Sequence, residues 1–197
     1  VLLNLLPPNC LHLACQNGNY QQVHGLVAAG YPVNCKDSDG YYPLHRAMEY
    51  SGPQLEHILK LLVHPKAMRL EKVKKSSKLT KQINGSPETF LAIYGRSPMH
   101  TAALFNNIVG AQWLIEHFFE IATRFKQTAI APDILKQLPK DFFSHESEKL
   151  ISWLINHRET GRFQGYTPLH NAVDHGQVEM VKFLTGTFST AASTEKS

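Results

Sequence analysis

The sequence has little of several residue classes whose abundance would point to other kinds of protein. Only three of its 197 residues are Cys, which is an odd number and too few for a disulfide scaffold. We therefore expect free thiols in a reducing compartment. No apolar run approaches the roughly 18 residues that a membrane span needs. The net charge is only +4, which argues against a uniformly basic, nucleic-acid-binding surface. We therefore expect a folded cytoplasmic protein, with the nucleus or a host cell's cytosol as alternatives.

The two ends of the chain carry weak signals. Residues 1–8 are apolar, but they lack the basic start and the small-residue cleavage site of a secretory signal. The chain also lacks an initiator Met, which indicates an excised fragment. Residues 185–197 are small and polar, and we expect them to form a flexible, frayed tail.

One tetrapeptide recurs along the chain. It reads YPLH at 42–45, SPMH at 97–100 and TPLH at 167–170, with a weaker copy, NCLH, at 9–12. The His residues of these copies lie 33, 55 and 70 positions apart. A hydroxyl ahead of Pro caps a helix, and Pro suits the first helical position because its missing N–H would be unpaired there anyway. The residues that we take as structural are His12, Pro43, His45, Pro98, His100, Thr167, Pro168 and His170.

The unit around each copy predicts a pair of short helices. In the first unit, apolar residues at helical spacing run from Leu11 to Cys15, and Gly18 suits the left-handed conformation that ends a helix. A second apolar face follows from Val23 to Val27, before Gly30. Because so short a pair cannot bury its apolar face alone, neighbouring pairs must stack.

This unit resembles the ankyrin repeat, which has a period of about 33 residues and a T-P-L-H-x-A core. The resemblance implies an all-α fold, an ankyrin-like α-solenoid of stacked helix–turn–helix repeats. We predict one repeat domain over residues 1–184. Its clear repeats are predicted at about 8–38, 39–93, 94–127 and 164–184.

The interval from His45 to His100 is longer than one unit, which predicts an insertion within the second repeat. Asn84-Gly85 lies between two short runs, 79–83 and 89–94, and Asn-Gly favours a tight hairpin turn. We therefore predict an inserted β-hairpin finger over 66–93. Its flank, 66–81, holds seven cations and one acid, so it is either a solvated loop or a dock for RNA, an anionic membrane or another acidic partner. The cations are Lys66, Arg69, Lys72, Lys74, Lys75, Lys78 and Lys81.

The interval from His100 to His170 is close to two units and is open to two interpretations. Ile134, in the sequence Ala-Pro-Asp-Ile, follows His100 by nearly one repeat unit, and residues 146–157 predict an amphipathic second helix. We interpret 128–163 as a degenerate repeat. The alternative is a helical insertion packed on one face of the stack, since Pro139 interrupts any smooth helix that starts at Ile134.

Eleven His residues raise the question of metal or catalytic chemistry. The four motif His residues occupy equivalent places in repeats about 10 Å apart, beyond the reach of one metal ion, so we expect each to hydrogen-bond the backbone between repeats. Cys10, His12 and Cys15 have a partial zinc spacing but no evident fourth ligand. No nucleophile elbow, phosphate-binding loop or paired-carboxylate motif is present. We therefore expect no metal site, no cofactor and no catalytic residue.

The resemblance also implies where a ligand would bind, at the hairpin tips and the solvent side of the first helices. Aromatic residues and Arg are the common anchors of interfaces. The tip positions are Tyr41, Arg96 and Tyr166. The pairs that end the first helices are Gln16 and Asn17, Glu49 and Tyr50, Leu104 and Phe105, and Asp174 and His175.

These observations favour a non-enzymatic protein–protein interaction module, a rigid scaffold or adaptor whose partner is another protein. One alternative is an adaptor that binds RNA, a ribonucleoprotein or another acidic partner through 66–81. Another alternative is that the chain is the targeting domain of a larger enzyme, such as a secreted effector. This alternative rests only on an analogy with ankyrin-like proteins of that kind.

Overall fold

A computed structural model describes residue 7 and residues 9–63, 95–126, 147–160 and 165–194. These residues are helical between short turns, with no strand among them, which confirms the predicted all-α repeat fold. The predicted hairpin finger at 66–93 and its basic flank lie outside the described residues. The helices in chain order are α1 (Cys10–Gln16), α2 (Tyr20–Ala28), α3 (Pro43–Ala47), α4 (Leu55–Val63), α5 (Pro98–Leu104), α6 (Ile108–Lys126), α7 (Ser147–Asn156), α8 (Pro168–Asp174) and α9 (Val178–Thr194).

The recurring tetrapeptide starts the first helix of a repeat in the predicted way. In α5, the Ser97 hydroxyl lies 2.7 Å from Nδ1 of His100, and Pro98 occupies the first turn. In α8, the Thr167 hydroxyl lies 2.7 Å from Nδ1 of His170. The earlier copies have no such hydroxyl, and Nδ1 of His12 and of His45 has no hydrogen-bond partner among the described residues. The SP and TP copies therefore cap their helices more completely than the NC and YP copies.

The first helices stack in the order α1, α3, α5 and α8, and the second helices α2, α4 and α6 line up behind them. One hydrogen bond recurs at each junction. Nε2 of His12 donates to the Tyr41 carbonyl at 3.1 Å, Nε2 of His45 to the Arg96 carbonyl at 3.0 Å, and Nε2 of His100 to the Tyr166 carbonyl at 3.2 Å. The role predicted for these three His residues is confirmed.

The contact between α5 and α8 bears on residues 128–163. These two helices pack directly on each other, and His100 reaches the Tyr166 carbonyl. The third and fourth described helix pairs are therefore direct neighbours. Residues 127–146 and 161–164 lie outside the described residues, so the degenerate repeat and the insertion both stay predictions. The amphipathic helix predicted at 146–157 is present as α7, which packs against α6 and α8 and buries Leu154 and Ile155.

Two further features concern the ends of helices. Gly18 and Gly176 have φ of 66° and 64°, as expected for residues that end a helix, and Asn106 takes the same role in the third repeat with φ of 54°. Residues 185–194, which belong to the predicted flexible tail, continue α9. The Thr185 hydroxyl donates to the Val181 carbonyl at 2.8 Å, so this Thr is satisfied within the helix.

None of the helices in the described ranges is both long enough and apolar enough to cross a bilayer.

Candidate functional site

The side chains at the ends of the first helices occupy two equivalent positions in each of the four repeats. Their alignment across repeats is visible at Gln16, whose Nε2 donates to Oε2 of Glu49 at 2.6 Å, one repeat further along. We call Gln16, Glu49, Leu104 and Asp174 the inner row, and Asn17, Tyr50, Phe105 and His175 the outer row. The rows are polar in the first two repeats, apolar at Leu104 and Phe105 in the third, and polar again in the fourth.

The predicted binding residues differ in how freely they face solvent. The Phe105 side chain is 45% exposed, and Asp174 and His175 are also exposed. Tyr50 is half-buried, and its ring fills the space that a Cβ at Gly18 or Gly52 would need. Tyr50 thus has a packing role between the first and second repeats, whereas Phe105 is available for contact.

An ion cluster that the sequence analysis did not identify surrounds Arg46. Its Nε lies 2.7 Å from Oδ2 of Asp37, its Nη1 2.8 Å from Oε1 of Glu49, and its Nη2 2.5 Å from Oδ2 of Asp39. Burial opposes ionisation of Asp37, but hydrogen bonds from Arg46 and from the Tyr41 backbone outweigh it, so the Asp37 pKa lies below its ordinary value. Since Glu49 also bonds to Arg46, its carboxylate already has a cationic partner within the chain.

A second ion cluster joins the tips of the hairpins. The guanidinium of Arg96 forks onto Glu159, with Nε to Oε1 at 3.0 Å and Nη2 to Oε2 at 3.1 Å, and its Nη1 donates to the Tyr41 hydroxyl at 2.8 Å. The Glu159 side chain is 1% exposed and that of Arg96 is 14% exposed. Asn171 donates a further hydrogen bond to Glu159 at 3.0 Å. This cluster links residues of three successive repeat junctions.

The predicted tip residues therefore serve inside the stack. The backbone carbonyls of Tyr41, Arg96 and Tyr166 accept the histidine hydrogen bonds, and the side chains of Tyr41 and Arg96 bind each other. The Tyr166 hydroxyl hydrogen-bonds to Asp174, which raises the Tyr166 pKa. Arg96 in particular holds a buried carboxylate, so its replacement would change stability as well as any surface that it offers.

The buried histidines have environments that keep them neutral. Burial lowers the pKa of His45 and of His100 to about 3. His157, which the sequence analysis did not single out, is also buried, and its Nε2 donates to the Gly95 carbonyl at 2.8 Å. Its ring lies edge-on to that of His100, with 5.8 Å between centroids. Since α7 ends just before His157, this helix positions a fourth histidine against the backbone.

The partial zinc spacing is occupied by core residues. Cys10 and Cys15 are buried, and burial raises the pKa of Cys15. Nε2 of His12 is taken by the carbonyls of Cys35 and Tyr41. In the part of the chain that the structure describes, no group of three or more His, Cys, Asp or Glu side chains could hold a metal ion.

Comparison with known proteins identifies the class. A family model for ankyrin repeats in three copies matches residues 11–124, and a model for ankyrin repeats in many copies matches 140–185. The chain belongs to the ankyrin-repeat family, as its motif and its stack of helix pairs indicate. Proteins of this kind generally mediate protein–protein interaction, and the class is typically non-enzymatic.

A particular relative is Inversin of the dog, Canis lupus familiaris. The chain is 24% identical to Inversin over 193 residues, which cover 89% of this chain and 14% of Inversin. The chain thus spans about a seventh of that protein. The similarity supports the repeat fold, and we assign no binding partner to this chain from it.

Proposed function

We propose that this chain is a non-enzymatic module that binds a protein partner through the inner and outer rows. The observation that carries the proposal is the exposure of Phe105 beside the half-buried Leu104, at the centre of two otherwise polar rows. Aromatic side chains in the middle of a surface are frequent anchors of binding energy. The first helices are held by buried histidine bonds, so a partner would meet a preformed surface with little ordering cost.

The charges on the rows favour a partner with basic groups around an apolar anchor. Asp174, in the inner row, is exposed on the fourth repeat, and Asp39, outside the rows, is exposed at the first tip, where it pairs with Arg46. A partner that places an apolar side chain against Phe105 and cations toward Asp174 and Asp39 would match this surface.

A paired substitution tests the surface. The chain and its Phe105→Asp variant are immobilised, and proteins captured from cell lysate are compared by quantitative mass spectrometry. We expect a specific partner to be lost from the Phe105→Asp sample, because a charge would replace the anchor. The matched control is Val109→Asp, which alters a similarly exposed apolar side chain four residues later, at the start of α6.

The control separates binding from folding. Both substitutions are at exposed positions, so the free energy of unfolding should stay within about 0.5 kcal/mol of the original. Equal capture by Phe105→Asp and Val109→Asp would refute the assignment of the binding surface.

A second candidate function rests on the sequence of 66–81 alone. Seven cations against one acid give a segment that would attract RNA or another acidic partner with strong salt dependence. Fluorescence anisotropy of a labelled RNA oligonucleotide, titrated with the chain at low and at moderate salt, tests it. Replacing Lys72, Lys74 and Lys75 by Glu should abolish binding, and an absence of binding at low salt would end this candidate.

A further inference from the structure

The turn that carries Phe105, residues 104–107, is tied to the fourth repeat by a side chain. Nε2 of Gln177, the residue directly before α9, donates to the Leu104 carbonyl at 3.1 Å. This carbonyl belongs to the peptide group that links Leu104 to Phe105, and the N–H of the same group donates to the Thr101 carbonyl at 3.1 Å. Both polar atoms of the peptide group that leads into Phe105 are therefore bound.

The other end of the turn is tied to the second repeat by Asn107. This residue directly precedes α6 and is fully buried. Its Nδ2 donates to the carbonyls of Met48 and Tyr50, at 2.9 and 2.8 Å. Its Oδ1 accepts from the Gly110 amide at 2.8 Å, which caps α6. The two ends of the turn are thus held by different neighbouring repeats.

Asn106, in the middle of the turn, restricts the backbone further. Its φ is 54°, whereas the equivalent residues of the first and fourth repeats are Gly18 and Gly176. Glycine has more accessible backbone conformations than any residue with a side chain, and Asn is among the few others that enter the left-handed region. The turn with fewer alternative conformations is therefore in the third repeat, beside the exposed Phe105.

We propose that Gln177 and Asn107 are positioning residues that hold Phe105 in the orientation that a protein partner binds. This inference rests on the proposed function. An anchor on a loose turn loses conformational freedom when a partner orders it, and holding the turn in advance removes that cost. The apparent affinity falls in proportion to the fraction of molecules in which the anchor is wrongly placed. Both side chains act through Phe105 and need not touch the partner.

Fluorine NMR tests the positioning without a partner. The probe is 4-fluorophenylalanine, incorporated in place of Phe105 alone. The variant Gln177→Met keeps the length of a half-buried side chain and removes its donor. The matched control is Gln112→Met, because Gln112 is exposed on α6 and its Nε2 donates to Glu116 at 2.9 Å. We expect one sharp resonance in the original chain and in the control, and a shifted or broadened resonance in Gln177→Met.

Capture from cell lysate relates this orientation to binding. The proteins that Phe105→Asp fails to capture should be recovered about three- to tenfold less by Gln177→Met, as loss of one neutral hydrogen bond implies. Gln112→Met should recover them fully. Circular dichroism at the assay temperature checks that both variants are folded. A merely structural role of Gln177 would lower the unfolding temperature and leave the fluorine resonance and the capture by folded protein unchanged.

The failure of this inference can be told apart from the failure of the proposed function. An unchanged fluorine resonance in Gln177→Met overturns the positioning role. If Phe105→Asp loses no protein from the lysate, the proposed function fails. If Phe105→Asp loses a protein that Gln177→Met captures in full, the binding surface stands and the positioning role fails.

Discussion

The buried carboxylate of Glu159 gives the sharpest prediction about stability. The substitution Glu159→Gln keeps the shape of the side chain and removes its charge. Arg96 then loses its counterion, and the amide NH₂ faces either the guanidinium or Asn171. Removing one member of a buried pair typically costs about 3–5 kcal/mol. Because the Arg96 side chain is 14% exposed and keeps the Tyr41 hydroxyl, we expect a smaller cost of about 2–3 kcal/mol.

Urea unfolding measures this cost. Trp153 reports on the junction directly, because its ring lies 4.6 Å from that of His157, close to Glu159 in the chain. Unfolding should be followed by both Trp fluorescence and circular dichroism, since stacked repeats can unfold in steps. A coincident shift of both curves gives the change in the free energy of unfolding.

A double-mutant cycle with Arg96→Met isolates the pair. If Glu159 and Arg96 stabilise the stack through each other, the double variant should be less destabilised than the sum of the single variants, with a coupling of about 2 kcal/mol. A loss for Glu159→Gln below about 0.5 kcal/mol, the size of an ordinary surface substitution, or a coupling near zero would refute the reasoning that this pair holds the third and fourth repeats together.

Three further predictions concern the helix ends and the buried histidines. Ser97→Ala should cost about 1 kcal/mol in thermal unfolding, because it removes the helix cap and the hydroxyl partner of Nδ1 of His100. The pKa values of about 3 for His45 and His100 lie below the ordinary 6.5, so the unfolded chain binds more protons than the folded chain as the pH falls. The free energy of unfolding should therefore be full above pH 6.5 and fall progressively from there toward pH 3. In urea titrations at several pH values, His45→Gln should flatten this dependence. Gly18→Ala should destabilise the chain more than Gly176→Ala in the same assay; both have positive φ, but only Gly18 lies against a tyrosine ring.

The repeats and their register could be predicted because they depend on short-range patterns. Helix caps, Pro positions and terminating Gly residues act within a few residues, so the sequence around His45 or His170 is sufficient to locate a helix pair. The hydrogen bonds from the motif histidines to backbone carbonyls could be predicted from the same repetition. Residues at equivalent positions of a repeated motif occupy equivalent places in the stack, so the sequence alone aligns them.

Other features could not be predicted because they join distant parts of the chain. The long separation between His100 and His170 allowed either two units or one unit with an insertion, and nothing in the sequence between them indicated that α5 and α8 pack directly on each other. Arg96 and Glu159 are 63 positions apart, and nothing near either one indicates the other. Arg96 was therefore predicted as a surface anchor, while its guanidinium is bound to a buried acid.

The histidine bond at each junction also sets how the chain tolerates added length. The bonded residues are 29, 51 and 66 positions apart at the three successive junctions, yet the bond is the same. Closing the longest of these loops costs only about 0.7 kcal/mol more than closing the shortest, because the entropy of closure grows with the logarithm of length. The segment between a second helix and the following tip is thus a place where foreign sequence can be grafted while the repeats on either side keep their alignment.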